Sequence, residues 1–323
     1  MNVLLLGRMA SWCARELETR LGPGYSITAV SDTGRLEDYW PQVEAAEVIV
    51  GWPVSNEALR RAANLRLLHV AGAGIDGLDL DAVPPHVRVC NTFHHEVAIA
   101  EYVMMAMLNL ARRPAHYDAR LRQGDWTGSC IWGETPVLAE LFGREALLVG
   151  LGHIAREIAV RAHAFGIRLT GASRNPVPAE PFSRVVSFRD WEACLPDADF
   201  VIPCCPLTPE TTGLIGAAQF ARMKQTAFLI NITRGRVVDE RAAYEALRDR
   251  RIAGAALDVW YQYPNQPDEQ RLPSRYPFHE LPNVLLSPHN SGWTMRTILG
   301  RAGDIAANIQ SLAAGGTLRN VVR

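Results

Sequence analysis

Short apolar runs at residues 3–6, 47–50, 65–70 and 87–90 alternate with polar or helix-like stretches, 56–63 being one. Runs this short, apolar on both faces and spaced by covering segments, are the pattern of a parallel sheet buried between helices. A long helical stretch over 98–112 follows, then a second series of runs at 146–149, 167–171, 198–202, 226–230, 254–259 and 284–286. Two α/β units are predicted, and 323 residues exceed the size at which a single core usually stops growing. The stretch 293–314 reads as a closing helix ahead of Gly315-Gly316, placed where it can return to the first unit. The polar segment 173–184 reads as a connector. The segment 261–278, rich in Pro, Gln and Arg, is a long aperiodic connection of the kind that carries function or is ordered by contacts.

The most informative local pattern is Gly150-Leu151-Gly152-His153-Ile154-Ala155, between the run 145–149 and the helix-like stretch 156–165. Gly150 permits a tight turn, Gly152 lets phosphates approach the backbone, and the following helix offers N–H groups at its positive end. That is what a dinucleotide's pyrophosphate needs. An ordinary strand-to-helix turn remains the bland alternative. Ala155, in place of a third glycine, is still compatible with close helix-to-sheet packing.

Charge narrows the partner. With 33 basic against 34 acidic residues and no basic block, nothing favours nucleic acid or an acidic membrane surface, and a small molecule is expected. The cysteines Cys13, Cys90, Cys130, Cys194, Cys204 and Cys205 contain no C-x-x-C pair and sit mostly among apolar residues, which favours reduced core thiols over bridges or a zinc site. The opening run Asn2-Val3-Leu4-Leu5-Leu6 leads straight into Gly7 and reads as a first buried strand, not a signal peptide. The apolar stretch 97–110 is interrupted by Glu101 and too short to span a bilayer. A soluble, cytoplasmic protein is expected.

Further signatures occur in a fixed order: Ala73-Gly74-Ile75-Asp76, Asn91-Thr92, Ala100-Glu101-Tyr102, the Gly150 turn, Cys205-Pro206-Leu207-Thr208 with Thr211, Asn231-Ile232-Thr233-Arg234-Gly235, Ala256-Leu257-Asp258-Val259 and Ser287-Pro288-His289. Together they resemble the D-2-hydroxyacid dehydrogenase family, which includes glyoxylate and hydroxypyruvate reductases, phosphoglycerate dehydrogenase and formate dehydrogenase. The resemblance implies two Rossmann-like domains with parallel sheets, a cofactor domain over 100–290 being inserted into a flavodoxin-like substrate domain made of 1–99 and 291–323. It implies an active site in the cleft between them and a homodimer. It also implies cofactor contacts from Gly150, Gly152, His153 and Ile154, from Cys205, Pro206 and Thr211, from Ile232, Thr233 and Arg234, and from Asp258, His289, Ser291 and Gly292.

Arg234 follows a predicted strand, and its planar guanidinium suits a 2-oxo acid's carboxylate bidentately while polarising the adjacent ketone. A surface or loop-holding arginine is the plainer reading; the resemblance assigns the residue to substrate binding and catalysis. At His289 an imidazolium can give a proton to the carbonyl oxygen as the nicotinamide delivers hydride, and neutral imidazole can take it back. A satisfied structural histidine is the alternative. Ala73 and Gly74 are expected to offer backbone N–H groups to the substrate carboxylate, or to form a plain glycine turn. Asp258 is similar to the family's aspartate near the nicotinamide, or is a structural strand-end carboxylate.

Two positions depart from the family pattern. Where a glutamate usually precedes a proline and pairs with the catalytic histidine, this chain has Tyr263 before Pro264. A charge that would favour imidazolium is thereby removed. Tyr263 can still fix the ring's tautomer, or Glu96 or Glu280 can take over, and an altered pH optimum or substrate range is expected. Where a carboxylate usually binds the ribose of NAD, Ser173 is followed by Arg174. Arg174 can neutralise a 2′-phosphate, so NADP(H) is favoured, with NAD(H) possible; a solvated arginine is the alternative.

His94-His95-Glu96 lacks the spaced partners of a metal site and reads as a substrate-domain loop or hinge, so no metal is expected. Trp293 shapes the cleft or fills a core or interface. Tyr102, Met104, Met105 and Met107 read as a packed helix face without chemistry. The leading expectation is NAD(P)H-dependent, reversible reduction of a small 2-oxo acid, of the glyoxylate or hydroxypyruvate kind, to the D-2-hydroxy acid. A cofactor-binding regulatory protein with weakened turnover and an enzyme for another acid are the alternatives.

Overall fold

The computed structural model describes residues 1–131, 137–264 and 268–323; residues 265–267 of the long 261–278 connection lie outside the described residues. In chain order the elements are β1 (Asn2–Leu6), α1 (Arg8–Ser11), α2 (Ala14–Leu21), β2 (Ser26–Val30), α3 (Trp40–Ala45), β3 (Val48–Gly51), α4 (Asn56–Arg61), β4 (Leu67–His69) and β5 (Arg88–Cys90). Then come α5 (Glu96–Arg112), α6 (Pro114–Leu121), β6 (Glu145–Val149), α7 (His153–Ala164), β7 (Arg168–Ser173), β8 (Arg184–Ser187) and β9 (Phe200–Pro203). The chain closes with α8 (Ala217–Arg222), β10 (Phe228–Asn231), α9 (Glu240–Arg248), β11 (Gly254–Leu257), β12 (Val284–Leu286) and α10 (Met295–Ala313). It divides into a unit of Met1–His95 with Trp293–Arg323 and a unit of Glu96–Gly292.

The first unit holds a five-stranded sheet in the order β2-β1-β3-β4-β5, all pairs parallel, which is the flavodoxin-like order. Alternation along β1 explains why its sequence is apolar throughout. Val3 and Leu5 pack with Leu17 of α2 and Ile298, Ala302 and Ile305 of α10, while Leu4 and Leu6 pack with Ala58 and Leu59 of α4. Both faces are covered, so neither set can be polar, and each fully buried leucine contributes roughly 1.5–3 kcal/mol. The edge strand β2 was not anticipated. Its sequence Ser-Ile-Thr-Ala-Val is only partly buried, which mixes polar with apolar positions.

The second unit holds a seven-stranded parallel sheet in the order β12-β11-β10-β9-β6-β7-β8, the doubly wound Rossmann arrangement. On β6, Leu147 and Val149 face one core, and Ala146 and Leu148 face the other, which includes Val103 and Met107 of α5 and Ile158 and Ala162 of α7. The expected connector 173–184 shrinks at both ends, because Ser173 closes β7 and Arg184 opens β8. Met104 and Met107 are buried as expected, whereas Met105 is 44% exposed and leaves the packed face. All six cysteines are free; Cys130 is exposed and is no core thiol. Among the described residues no helix is long and apolar enough to cross a membrane.

Inside the first unit, α10 is tied to the sheet by polar contacts as well. Buried His69, the last residue of β4, donates from Nδ1 to the Val70 carbonyl (3.2 Å) and accepts the Asn308 amide at Nε2 (3.0 Å). Asn308 also donates to the Arg319 carbonyl (3.0 Å) and accepts its N–H (2.7 Å). Burial pushes the His69 pKa down to about 4. The unfolded chain therefore binds a proton that the native ring refuses: the stabilisation is complete above pH ~6.5, and roughly 3 kcal/mol of it is lost as pH falls toward 4. Thermal unfolding followed between pH 7.5 and 4.5 should show this loss, and His69→Gln, which cannot titrate, should flatten it; an equally steep fall in the variant would assign the dependence to other groups.

Candidate active site

In the second unit the sequence motifs line up along one edge, because every strand of a parallel sheet delivers its following loop to the same side. Gly150 follows β6, Ser173 ends β7, Ser187 ends β8, Cys204 follows β9, Arg234 lies beyond β10, Asp258 follows β11 and Ser287 follows β12. The strand order reverses between β6 and β9, where crevices for ligands open in such sheets. Gly150 stands at that reversal with φ 109°, and a Cβ on it would lie 2.9 Å from the Cys204 carbonyl carbon and the Cys205 nitrogen. Only glycine fits there. Gly152 is the N-cap of α7 and offers no side-chain cap, so the helix that His153 and Ile154 open presents its positive end at this turn.

A cavity of about 790 Å³ starts at this turn, lined by Gly150, Leu151 and Gly152, by Ser173, Arg174 and Asn175, by Ser187, Phe188 and Arg189, and by Cys204–Pro206, Thr208, Glu210 and Thr211. Its dimensions, glycine turn and uncapped helix fit a dinucleotide. Cys205 and Pro206 line it directly; burial pushes the Cys205 thiol up to about 11, which keeps it neutral. The Thr211 hydroxyl is engaged within its own loop, donating to the Pro206 carbonyl (2.6 Å) and accepting the Thr208 N–H (2.7 Å).

At the other end of the edge, Asn231 builds the turn that carries Arg234. Its Oδ1 accepts the Thr233 N–H (3.2 Å) and hydroxyl (3.1 Å), and its Nδ2 donates to the Arg234 carbonyl (3.0 Å). Gly235 lies so close to the Trp260 carbonyl that a Cβ would overlap it. Ile232 and Thr233 are buried, whereas Arg234 is half-buried with Nη1 donating to the Thr233 carbonyl (2.8 Å).

Asp258 is completely buried and its carboxylate is met by donors: Oδ1 accepts the Ser287 hydroxyl (2.6 Å) and the Asn290 N–H (3.0 Å), and Oδ2 accepts the Ser291 N–H (3.1 Å). These bonds brace the loop in which His289 adopts φ 57°, a left-handed conformation uncommon outside glycine. Gly292 ends the unit beyond it. His289 is exposed, and its Nδ1 lies 3.1 Å from the Tyr263 hydroxyl, which also accepts the Trp260 N–H (3.1 Å). Glu280 is turned to His279 instead (3.8 Å).

Tyr102, expected from its helical spacing only to pack, places its hydroxyl 2.7 Å from Ser287 Oγ. Since Ser287 donates to Asp258, Tyr102 is the donor in this pair; burial pushes its pKa up to about 12, so it keeps that proton. Trp260, which donates through Nε1 to the Ser287 carbonyl (2.8 Å), was also missed. The only available signal was a hydroxyl and an indole in otherwise apolar runs.

The remaining candidates, Glu96 apart, belong to the first unit. Ala73 and Gly74 lie in the loop after β4, where Asn91 Nδ2 donates to the Ala73 carbonyl (2.8 Å). His94, at φ 72°, places Nε2 2.9 Å from Asp304, which also accepts the Thr92 hydroxyl (2.9 Å), so this ring ties a loop to α10. His95 is the last residue of the first segment of that unit, and Glu96 opens α5 in the second unit. Trp293 packs edge-on against Trp12, ring centroids 5.9 Å apart. Among the described residues no group of three or more His, Cys, Asp or Glu side chains could hold a metal.

Known proteins share both sequence and architecture. The profile described as "D-isomer specific 2-hydroxyacid dehydrogenase, NAD binding domain" matches residues 104–291. The chain is 32% identical over 320 residues to the glyoxylate/hydroxypyruvate reductase B of Pectobacterium carotovorum, covering 96% of this chain and 95% of that one. It is 31% identical over 286 residues to the D-3-phosphoglycerate dehydrogenase of Archaeoglobus fulgidus, covering 87% of this chain but only 52% of that protein, so it spans about half that relative's length. The 2-hydroxyacid dehydrogenase structure from Ketogulonicigenium vulgare superposes with a TM-score of 0.81 at 26% identity, covering 100% of this chain and 98% of that one.

Removing the Asp258 carboxylate would leave one hydroxyl and two backbone N–H groups without their acceptor. Asp258→Ala should therefore destabilise the protein by about 3 kcal/mol or more in urea unfolding. A loss below about 1 kcal/mol would mean that the loop carrying His289 is held by other contacts.

Proposed function

Because the chain belongs to the D-isomer specific 2-hydroxyacid dehydrogenase family, we propose that it reduces a small 2-oxo acid to the D-2-hydroxy acid, reversibly, using a nicotinamide dinucleotide. Glyoxylate and hydroxypyruvate, the acids in the name of the Pectobacterium relative, are the leading substrates. The observation that carries the reading is the sharing of one sheet edge by the Gly150 turn, Arg234, Asp258 and the Tyr263–His289 pair.

The bound dinucleotide supplies or accepts hydride. Arg234, aimed by its bond to the Thr233 carbonyl, binds the substrate carboxylate and draws electron density from the neighbouring ketone. His289 delivers a proton from Nε2 to the carbonyl oxygen during reduction and takes it back during oxidation. Tyr263 serves both states of the ring. Its hydroxyl accepts from Nδ1–H both in the imidazolium and in the neutral ring left when Nε2 gives up its proton, while the Trp260 N–H occupies another lone pair. Unlike a carboxylate, it does so without countering the imidazolium charge.

NADPH is the preferred cofactor in this reading, because Ser173 puts no negative charge at the end of β7 and Arg174 lines the cavity beside it. A homodimer is also part of it: exposed Met105, Leu108 and Phe165 gather around a groove of about 520 Å³ bordered by α5, α6 and α7, an apolar face suited to a second copy.

The test is consumption of NADPH and NADH against glyoxylate, hydroxypyruvate, pyruvate and bulkier 2-oxo acids, with chiral analysis of the products. Arg234→Ala and His289→Asn should each lower kcat/KM by about 10²–10³-fold, and Tyr263→Phe by roughly 10-fold. Unchanged turnover in both His289→Asn and Tyr263→Phe would end the proton-transfer scheme. Cofactor binding without turnover across the whole panel would favour a regulatory protein.

A further inference from the structure

We propose that Arg189 is a second phosphate ligand, forming with Arg174 a two-arginine clamp for the 2′-phosphate of NADP(H); this rests on the NADPH reading above. The two residues lie beyond the ends of neighbouring strands. Ser173 pairs in register with Ser187, and the Phe188 N–H extends the ladder by donating to the Ser173 carbonyl (2.8 Å). Adjacent strands run about 4.8 Å apart, so the two ends form one rim. Each serine turns its own strand end in the same way: Ser173 Oγ accepts the Asn175 N–H (3.3 Å), and Ser187 Oγ accepts the Arg189 N–H (3.2 Å).

Arg174 and Arg189 both line the 790 Å³ cavity, and among the described residues neither has an ion pair or a side-chain hydrogen bond. Two guanidiniums without ion pairs on one rim give it a positive potential, and a phosphate monoester, with charge approaching −2, complements that charge while matching the donor forks. The acidic residue lining the cavity, Glu210, comes from the loop after β9. That strand stands three places from β8 in the sheet, roughly 14 Å away. Asp190, although next to Arg189 in sequence, does not line the cavity. The cationic rim therefore lies over β7 and β8, at the opposite end of the sheet edge from Arg234 and His289.

Calorimetric titration of the full chain with adenosine 2′,5′-bisphosphate and with 5′-AMP tests the clamp without turnover. Wild type should bind the bisphosphate at least about 10-fold more tightly than AMP. Arg174→Ala and Arg189→Ala should each weaken the bisphosphate by about 10-fold and leave AMP within about 2-fold, with partial recovery in Arg189→Lys. Both arginines are exposed, and far-UV circular dichroism checks that the variants are folded. If Arg174→Ala weakens the bisphosphate and Arg189→Ala does not, the clamp is overturned and the NADPH reading stands. Equal weakening of both ligands by Arg189→Ala also overturns the clamp, by making Arg189 a general nucleotide contact. If wild type binds the two ligands alike, the NADPH reading fails and the clamp with it.

Discussion

A parallel sheet must be covered on both faces and sends every following loop to one edge, and that constraint organises the whole molecule. In the second unit, seven strands deliver Gly150, Ser173, Ser187, Cys204, Arg234, Asp258 and Ser287 to the same side, although the chain separates the first from the last by more than a hundred residues. The helices that bury the faces also set the spacing along the edge. The strand reversal between β6 and β9 opens the crevice, and the missing Cβ of Gly150 lets one loop rest against the Cys204–Cys205 peptide.

The edge is electrically graded. Over β7 and β8 it carries two guanidiniums without ion pairs among the described residues; over β11 and β12 it carries a buried carboxylate already saturated by a hydroxyl and two N–H groups. Asp258 is well suited to bracing, because an acceptor filled with local donors fixes the loop that holds His289 in a left-handed conformation. Tyr102 extends this arrangement from α5 through Ser287, which makes a helix side chain part of the support for that loop.

His289 meets the Tyr263 hydroxyl where the resemblance leads one to expect a carboxylate. The phenol oxygen lies 3.1 Å from Nδ1 and orients the ring. The Trp260 N–H that meets the same oxygen ties this orientation to the turn packed against Gly235. Arg234 and His289 are thus joined through backbone packing at Trp260, with no side-chain contact between them required.

Local pattern determined a great deal: the continuous apolar runs of β1, β3 and β6, the glycine turn at 150–152 and the helices α5, α7 and α10 were all legible because each depends on neighbours within a few positions. The edge strands β2 and β8 were not, since one exposed side dilutes the apolar signal. Nor was the outward turn of Met105, the bond from Tyr102 to Ser287, the partner of Tyr263, or the shared rim of Arg174 and Arg189. Those depend on strand register and helix rotation, which bring together residues between 15 and 185 positions apart. Composition and spacing specify which groups a chain possesses; only the packing of sheet against helix decides which of them meet.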